Sequence, residues 1–142
     1  MKIKEILDQK SGGIFSINLS KSMLDAAKEM YEKRIGALLV QSDTGEYVGI
    51  LTDRDVLYFF AQQVGDAEKV NVSEMMTKNF FIEVLDSTAE HAESIMTENR
   101  VRHLPVVDEG SVIGIISIGD LVKAKLQETA VEAKSLFDYI SA

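Results

Sequence analysis

GILTDRDV, residues 49–56, runs from an apolar stretch straight into a polar turn, and the same grammar returns at residues 114–121 as GIISIGDL. Thr52-x-x-Asp55 and Ser117-x-x-Asp120 have the spacing of a capping box. In that motif the hydroxyl accepts the third backbone N–H of a helix, and the acid reaches back to the cap. The same groups also suit a ligand. A helix N-terminus presents free N–H donors and partial positive charge, which favour phosphate. A hydroxyl can donate to phosphate oxygens, and a carboxylate one turn in can accept both hydroxyls of a ribose, as in dinucleotide-binding folds. Spacing alone leaves both readings open, one for the empty protein and one for the occupied.

Working outward, RIGALLVQSDTGEYVGILTDRDVLYFF (34–60) lies over RVRHLPVVDEGSVIGIISIGDLVKAKL (100–126). Gly49 and Gly114, Thr52 and Ser117, and Asp55 and Asp120 are each 65 residues apart; Met30 and Met96, Arg34 and Arg100, and Ile35 and Val101 are each 66 apart. The one-residue slip falls at SDTGE and DEGS, where a loop absorbs it at little entropic cost. A period this long reads as one duplicated half-domain rather than a solenoid.

Each half shows the same order. A short strand (14–19; 80–85) precedes an amphipathic helix, with Leu24, Ala27, Met30 and Tyr31 on one side in the first half and Ala89, Ala92, Ile95 and Met96 in the second. Ser87-x-x-Glu90 reads as a capping box for the latter. Two strands joined by a Gly-containing turn follow, then a closing helix. Pro105, the one proline, lies inside a strand and predicts an edge or a local irregularity there.

Composition excludes several function classes. The 142 residues are 46% hydrophobic, enough for a core, and carry a formal net charge of −8. A phosphate-backbone binder needs a basic face, so nucleic acid is not an expected partner. No cysteine is present, hence no disulfide, thiolate metal site or cysteine nucleophile. MKIKEILDQKSGG lacks the apolar core of a signal peptide, and no run reaches membrane-spanning length, so a soluble cytoplasmic protein with no membrane partner is expected. His91 and His103 are the only histidines, 12 apart and without ligand-spaced acids, so neither a metal site nor a catalytic triad is expected.

All four arginines (Arg34, Arg54, Arg100, Arg102) lie in the repeated segments. Arginine suits forked, charge-assisted bonds to phosphate. Arg34 and Arg100 are equally explained as cations at helix C-termini. Arg54 and Arg102, with neighbouring His103, are the stronger candidates for phosphate contact. His103 reads either as partly buried beside the turn or as a phosphate donor, and His91 as a solvated helix residue.

The doubled G-h-h-[ST]-x-x-D, here GILTDRD and GIISIGD, with the preceding RIGALLV and VRHLPVVD, resembles the tandem cystathionine-β-synthase-type (CBS) domain pair, or Bateman module. The resemblance runs from about Met1 to Gln127 and implies an α/β (α+β) fold of two β-α-β-β-α repeats related by pseudo-two-fold symmetry. Repeat 1 with an N-terminal helix would span 1–70, repeat 2 with a linker helix 71–127, and a C-terminal helical extension 128–142. The family resemblance also implies two clefts between the repeats. In one, Asp120 and Ser117 would face the ribose and phosphate of a nucleotide whose adenine rests near Ile17, Ile35 and Gly36. In the other, Asp55, Thr52 and Arg54 would do so, with adenine near Ile82 and Val101.

Family members bind AMP, ADP, ATP, S-adenosylmethionine or NAD-type dinucleotides. The expectation is therefore a non-enzymatic sensor, requiring no cofactor and taking an adenine nucleotide as regulatory ligand. It would act as a homodimer or on a regulated protein. GILTDRD has Arg54 where GIISIGD has Gly119, and only the second half has Arg102 and His103, so the two sites should differ in affinity. The rival from another class is a structural dimerisation module whose clefts stay empty.

Overall fold

The structure, a computed structural model, describes residues 1–10 and 13–141. Its elements are α1 (Ile3–Gln9), β1 (Ser16–Asn18), α2 (Met23–Lys33), β2 (Ala37–Gln41), β3 (Tyr47–Thr52), α3 (Asp53–Ala61), α4 (Val72–Met75), β4 (Glu83–Val84), α5 (Ala89–Asn99), β5 (His103–Asp108), β6 (Ser111–Ser117) and α6 (Ile118–Ser141). The β-α-β-β-α order therefore occurs twice, as read from the repeat. The expected extension at 128–142 is not a separate element, because α6 runs without a break through that boundary.

Two small mixed sheets result, β1-β2-β3 and β4-β5-β6, each with a parallel outer pair and an antiparallel hairpin. The slip in the repeat lies in the hairpin loops. In the first hairpin Ser42 and Glu46 close three residues, with Gly45 at φ 88. In the second, Asp108 pairs with Ser111 around Glu109 and Gly110, at φ 49 and 80, the two-residue loop that needs positive φ twice. Both hairpins shift register one step past the valine opposite the motif glycine.

Pro105 lies in the central strand of its sheet, yet the strand is an edge at that point. β4 pairs only with Val106 and Val107. At the matching place in the first repeat, Leu39 donates its N–H to the Phe15 carbonyl at 3.1 Å. Proline has no such donor. The outer strand is accordingly shorter, two residues against three.

Two details of helix phase differ from the sequence reading. The buried stripe of α2 is Met23, Ala26 and Met30, while Tyr31 is 86% exposed. The cap of α5 is Thr88, whose hydroxyl accepts from the His91 N–H at 3.2 Å, one residue after Ser87.

The chain forms two compact units, one of Ile14–Phe80 and one of Met1–Gly13 with Phe81–Ala142. The opening helix thus packs with the second repeat and not the first, where the sequence reading had placed it. Ile3 and Ile6 of α1 are buried with Ala92, Leu104, Ile116 and Leu121. Reciprocally, Val72 of α4 is buried with Met23, Leu38, Leu51 and Phe59. Short antiparallel bridges tie each helix in place, Lys2 to Thr88 and Asn71 to Ser22.

This crossing explains the glycine that opens each motif. A Cβ on Gly49 would lie 2.6 Å from the Met76 sulfur and 3.1 Å from the Thr77 carbonyl oxygen. On Gly114 it would lie 3.0 Å from a Leu7 methyl.

Candidate ligand-binding turns

Each motif turn carries the chain from the last strand of a repeat into its closing helix. At the first, Thr52 caps α3: its Oγ1 accepts the Asp55 N–H at 3.3 Å, and Asp55 Oδ2 accepts from the Thr52 N–H at 2.9 Å and its hydroxyl at 3.1 Å. At the second, Ser117 Oγ accepts the Asp120 N–H at 3.1 Å, and Asp120 Oδ2 accepts the Ser117 N–H at 2.8 Å. Both pairs are partly buried, and both are capping boxes. The carbonyl at the mouth of the preceding strand completes each turn. Gly36 accepts the Asp53 N–H and Arg102 accepts the Ile118 N–H, each at 2.9 Å.

The other sequence-predicted residues sort by unit. In the second repeat, His103 is half-buried and lies directly across the ladder from Ser117, while Arg102 is exposed beside it. His103, Ser117 and Asp120 therefore share one corner. Val101 packs against the core of that unit, and Ile82, 43% exposed, precedes β4. In the first repeat Arg54 is exposed in the first turn of α3. Ile35 and Gly36 line an open pocket of about 600 Å³ with Met30, Tyr31, Arg34 and Asp53. Ile17 is a core residue of that unit, 7% exposed, and lines a second open pocket with Ser16 and Asn18.

Arg34 and Arg100 are the C-caps of α2 and α5, both in left-handed conformation at φ 55 and 54. The N–H groups of Ile35 and Val101 return to Met30 and Met96, which closes both helix ends. The helix-terminus reading of these two arginines is what the backbone shows.

Sequence reasoning missed two features. Lys10, at the end of α1, donates to the Ile115 carbonyl at 2.7 Å and pairs with Asp120 Oδ2 at 2.9 Å. It lies outside the repeated segments and 105 residues from Ile115, so no local pattern points to it. Glu83 is the buried acid of the second repeat, 2% exposed. Its carboxylate accepts the Val84 N–H at 2.8 Å and lies 2.7 Å from His91 Nδ1. His91 is exposed, as expected of a solvated helix residue, but is also tied to this acid. Among the described residues no cluster of acids and histidines could hold a metal ion, and no helix is long and apolar enough to cross a membrane.

The chain has close counterparts among known proteins. The CBS domain model matches residues 3–62 and 72–127. The mitochondrial CBS domain-containing protein CBSX3 of Arabidopsis thaliana is 36% identical over 84% of this chain, which spans 60% of that relative's length. Two longer Arabidopsis CBS proteins are spanned only to 23% and 18%. The crystal structure of a CBS-domain containing protein from Agrobacterium tumefaciens superposes with a TM-score of 0.83 at 37% identity, covering 87% of this chain and 92% of that one. The CBS domain pair of protein MJ0100, solved with 5′-methylthioadenosine and S-adenosyl-L-methionine, gives a TM-score of 0.78 at 26% identity and covers 90% and 98% of the two chains. With both repeats matched by the model and both turns in place, the chain belongs to the CBS domain family, as a tandem pair.

Proposed function

We propose that this CBS pair is a non-enzymatic regulatory module that binds an adenine nucleotide at its two hydroxyl–acid turns. One observation carries the reading: the bonds that close each cap reach the Asp55 and Asp120 carboxylates through Oδ2. A carboxylate has a second oxygen, so Oδ1 of each can accept a ribose hydroxyl while the cap stays closed. Thr52, Ser117, Arg54, Arg102 and His103 surround the turns with donors suited to phosphate. That the MJ0100 pair is solved with two adenosine compounds supports the adenine assignment. AMP, ADP, ATP, NAD and S-adenosylmethionine are the ligands to try, and binding acts by favouring the arrangement that holds ligand more tightly.

A homodimer is part of this reading. Leu57, Tyr58, Phe60 and Val64 on or just after α3 are 46–68% exposed, and Val122, Leu126, Leu136 and Ile140 of α6 are 54–72% exposed. Soluble monomers rarely leave apolar helix faces of this kind uncovered.

The test is a thermal shift with each ligand, followed by titration of Asp55→Ala and Asp120→Ala. A ligand selective for the native state raises Tm by mass action. Loss of one carboxylate acceptor should weaken binding roughly ten- to a hundredfold, while loss of a cap acid costs about 1 kcal/mol or less of stability. If none of the five ligands moves Tm at millimolar concentration, the module is structural and its turns are caps.

A further inference from the structure

The two turns are not equivalent, and the difference lies in the helix that crosses onto each. In the first repeat the Ile50 carbonyl accepts the Thr77 backbone N–H at 2.9 Å. In the second, the matching Ile115 carbonyl accepts from the Lys10 ammonium at 2.7 Å, which also reaches Asp120. One helical turn past the motif acid, the first repeat has Tyr58 and the second has Lys123. Lys10 and Lys123, with Ile6, Gln9, Asp120 and Ala124, line a pocket of about 220 Å³ between the end of α1 and the first turns of α6.

We propose that this pocket is an anion subsite for the phosphate end of a ligand, and that Lys10 and Lys123 make the second repeat's turn select phosphorylated ligands. The nucleotide identity of that ligand rests on the reading of Asp120 given above; the anion subsite does not. Two ammonium groups face one carboxylate here, in a chain whose formal net charge is −8. Among the described residues Lys10 spends two of its three donors on Ile115 and Asp120, which leaves the third for a ligand oxygen. Because those two bonds already fix its long side chain, donating to a ligand costs little further rotamer entropy. The pocket is smaller than the roughly 300–1,000 Å³ of a complete small-molecule site, so it takes one end of the ligand and leaves the base outside. Among the described residues the first repeat's turn has no counterpart of either lysine, so phosphate contact there falls to Arg54 and lacks this subsite.

The test is calorimetric titration with pyrophosphate, adenosine and ADP, in an Asp55→Ala chain so that the second turn dominates the signal. Lys10→Met and Lys123→Met are compared with their parent, and urea melts report folding. ADP should bind the parent at least about tenfold more tightly than adenosine, as charge-assisted bonds to phosphate require. Each lysine variant should lose about five- to thirtyfold in ADP affinity and most pyrophosphate binding, with adenosine unchanged within about twofold. Equal weakening of adenosine and ADP would reduce the lysines to scaffolding. Tighter ADP binding by Lys10→Met would make Lys10 a shield over Asp120, and either result overturns the subsite. If ADP binding needs Asp120 but neither lysine, the nucleotide reading stands and the subsite falls. If only pyrophosphate binds, in a lysine-dependent way, the subsite stands and the nucleotide reading falls. If no probe binds at millimolar concentration, both fall. Should Lys10→Met fail to fold, Lys123→Met, exposed on α6, decides the same outcomes.

Discussion

Glu83 stands in the second repeat where Ile17 stands in the first: each pairs in parallel with the central-strand valine, Val106 or Val40. One position thus holds a core aliphatic in one copy and a buried carboxylate in the other. Replacing a buried, paired charge with a well-packed apolar group is often neutral or stabilising, whereas removing one partner leaves the charge stranded. Glu83→Ile should therefore change stability by less than about 1 kcal/mol. His91→Ala should cost about 1–2 kcal/mol in the parent chain, since it removes a bond to the carboxylate. In a Glu83→Ile background the same change should cost almost nothing. Urea melts of the four chains measure the coupling, and additive costs would contradict it.

Gly49→Ala and Gly114→Ala should differ although the motif makes them equivalent. At Gly49 the added methyl meets Met76 and the Thr77 carbonyl, and the latter is held by a two-bond bridge to Ile50. At Gly114 it meets only the far end of Leu7. Overpacking against backbone costs about 1–3 kcal/mol, so Gly49→Ala should fall in that range. Gly114→Ala should stay under about 1 kcal/mol, because a leucine terminus can move aside. Thermal melts that rank them the other way would refute this.

Arg34→Gly and Arg100→Gly should each raise stability. Both arginines hold a left-handed backbone, which costs an L-residue roughly 1–2 kcal/mol and glycine nothing. After glycine's greater freedom in the unfolded chain is counted, a gain of about 0.5–1 kcal/mol remains, or about 2–4 °C in Tm. If nucleotide affinity falls while Tm rises, the guanidinium is a ligand contact as well as a cap.

Phe60→Glu should shift the protein from dimer toward monomer. Phe60 packs edge-on against buried Phe59 with ring centroids 5.3 Å apart, yet remains 51% exposed. Light scattering at micromolar concentration should give twice 15.7 kDa for the parent chain and less for the variant. A parent mass of one chain would remove the dimer and leave the ligand sites untouched.

The parts legible from sequence are those whose cause is local. Thr52-x-x-Asp55 and Ser117-x-x-Asp120 announce helix starts because hydroxyl and acid lie one turn apart on the same strand-to-helix corner. The order of elements followed from periodicity, and the repeat supplied the register between the copies. Phase was less legible: Met23 and Leu24 are both apolar, and only packing chooses which faces the core. Long-range partners were not legible at all. Nothing in MKIKEIL says that Ile3 and Ile6 belong with Ala92 and Leu121, and the Lys10–Asp120 contact inherits that silence.

The crossing of α1 sets an order on biosynthesis. A ribosome releases α1 before anything it packs against exists, and Ile3 and Ile6 wait unburied while residues 14–80 emerge. That stretch is continuous and carries its own core, so it can close first. The other unit can close only when Leu121 and Ala124 have followed, which gives it the longer loop to tie and the slower step. Cutting the chain after residue 70, the obvious place to divide a tandem repeat, would spoil both products. The front piece would lose Val72 and keep a helix it cannot use, and the rear piece would be left without Ile3 and Ile6.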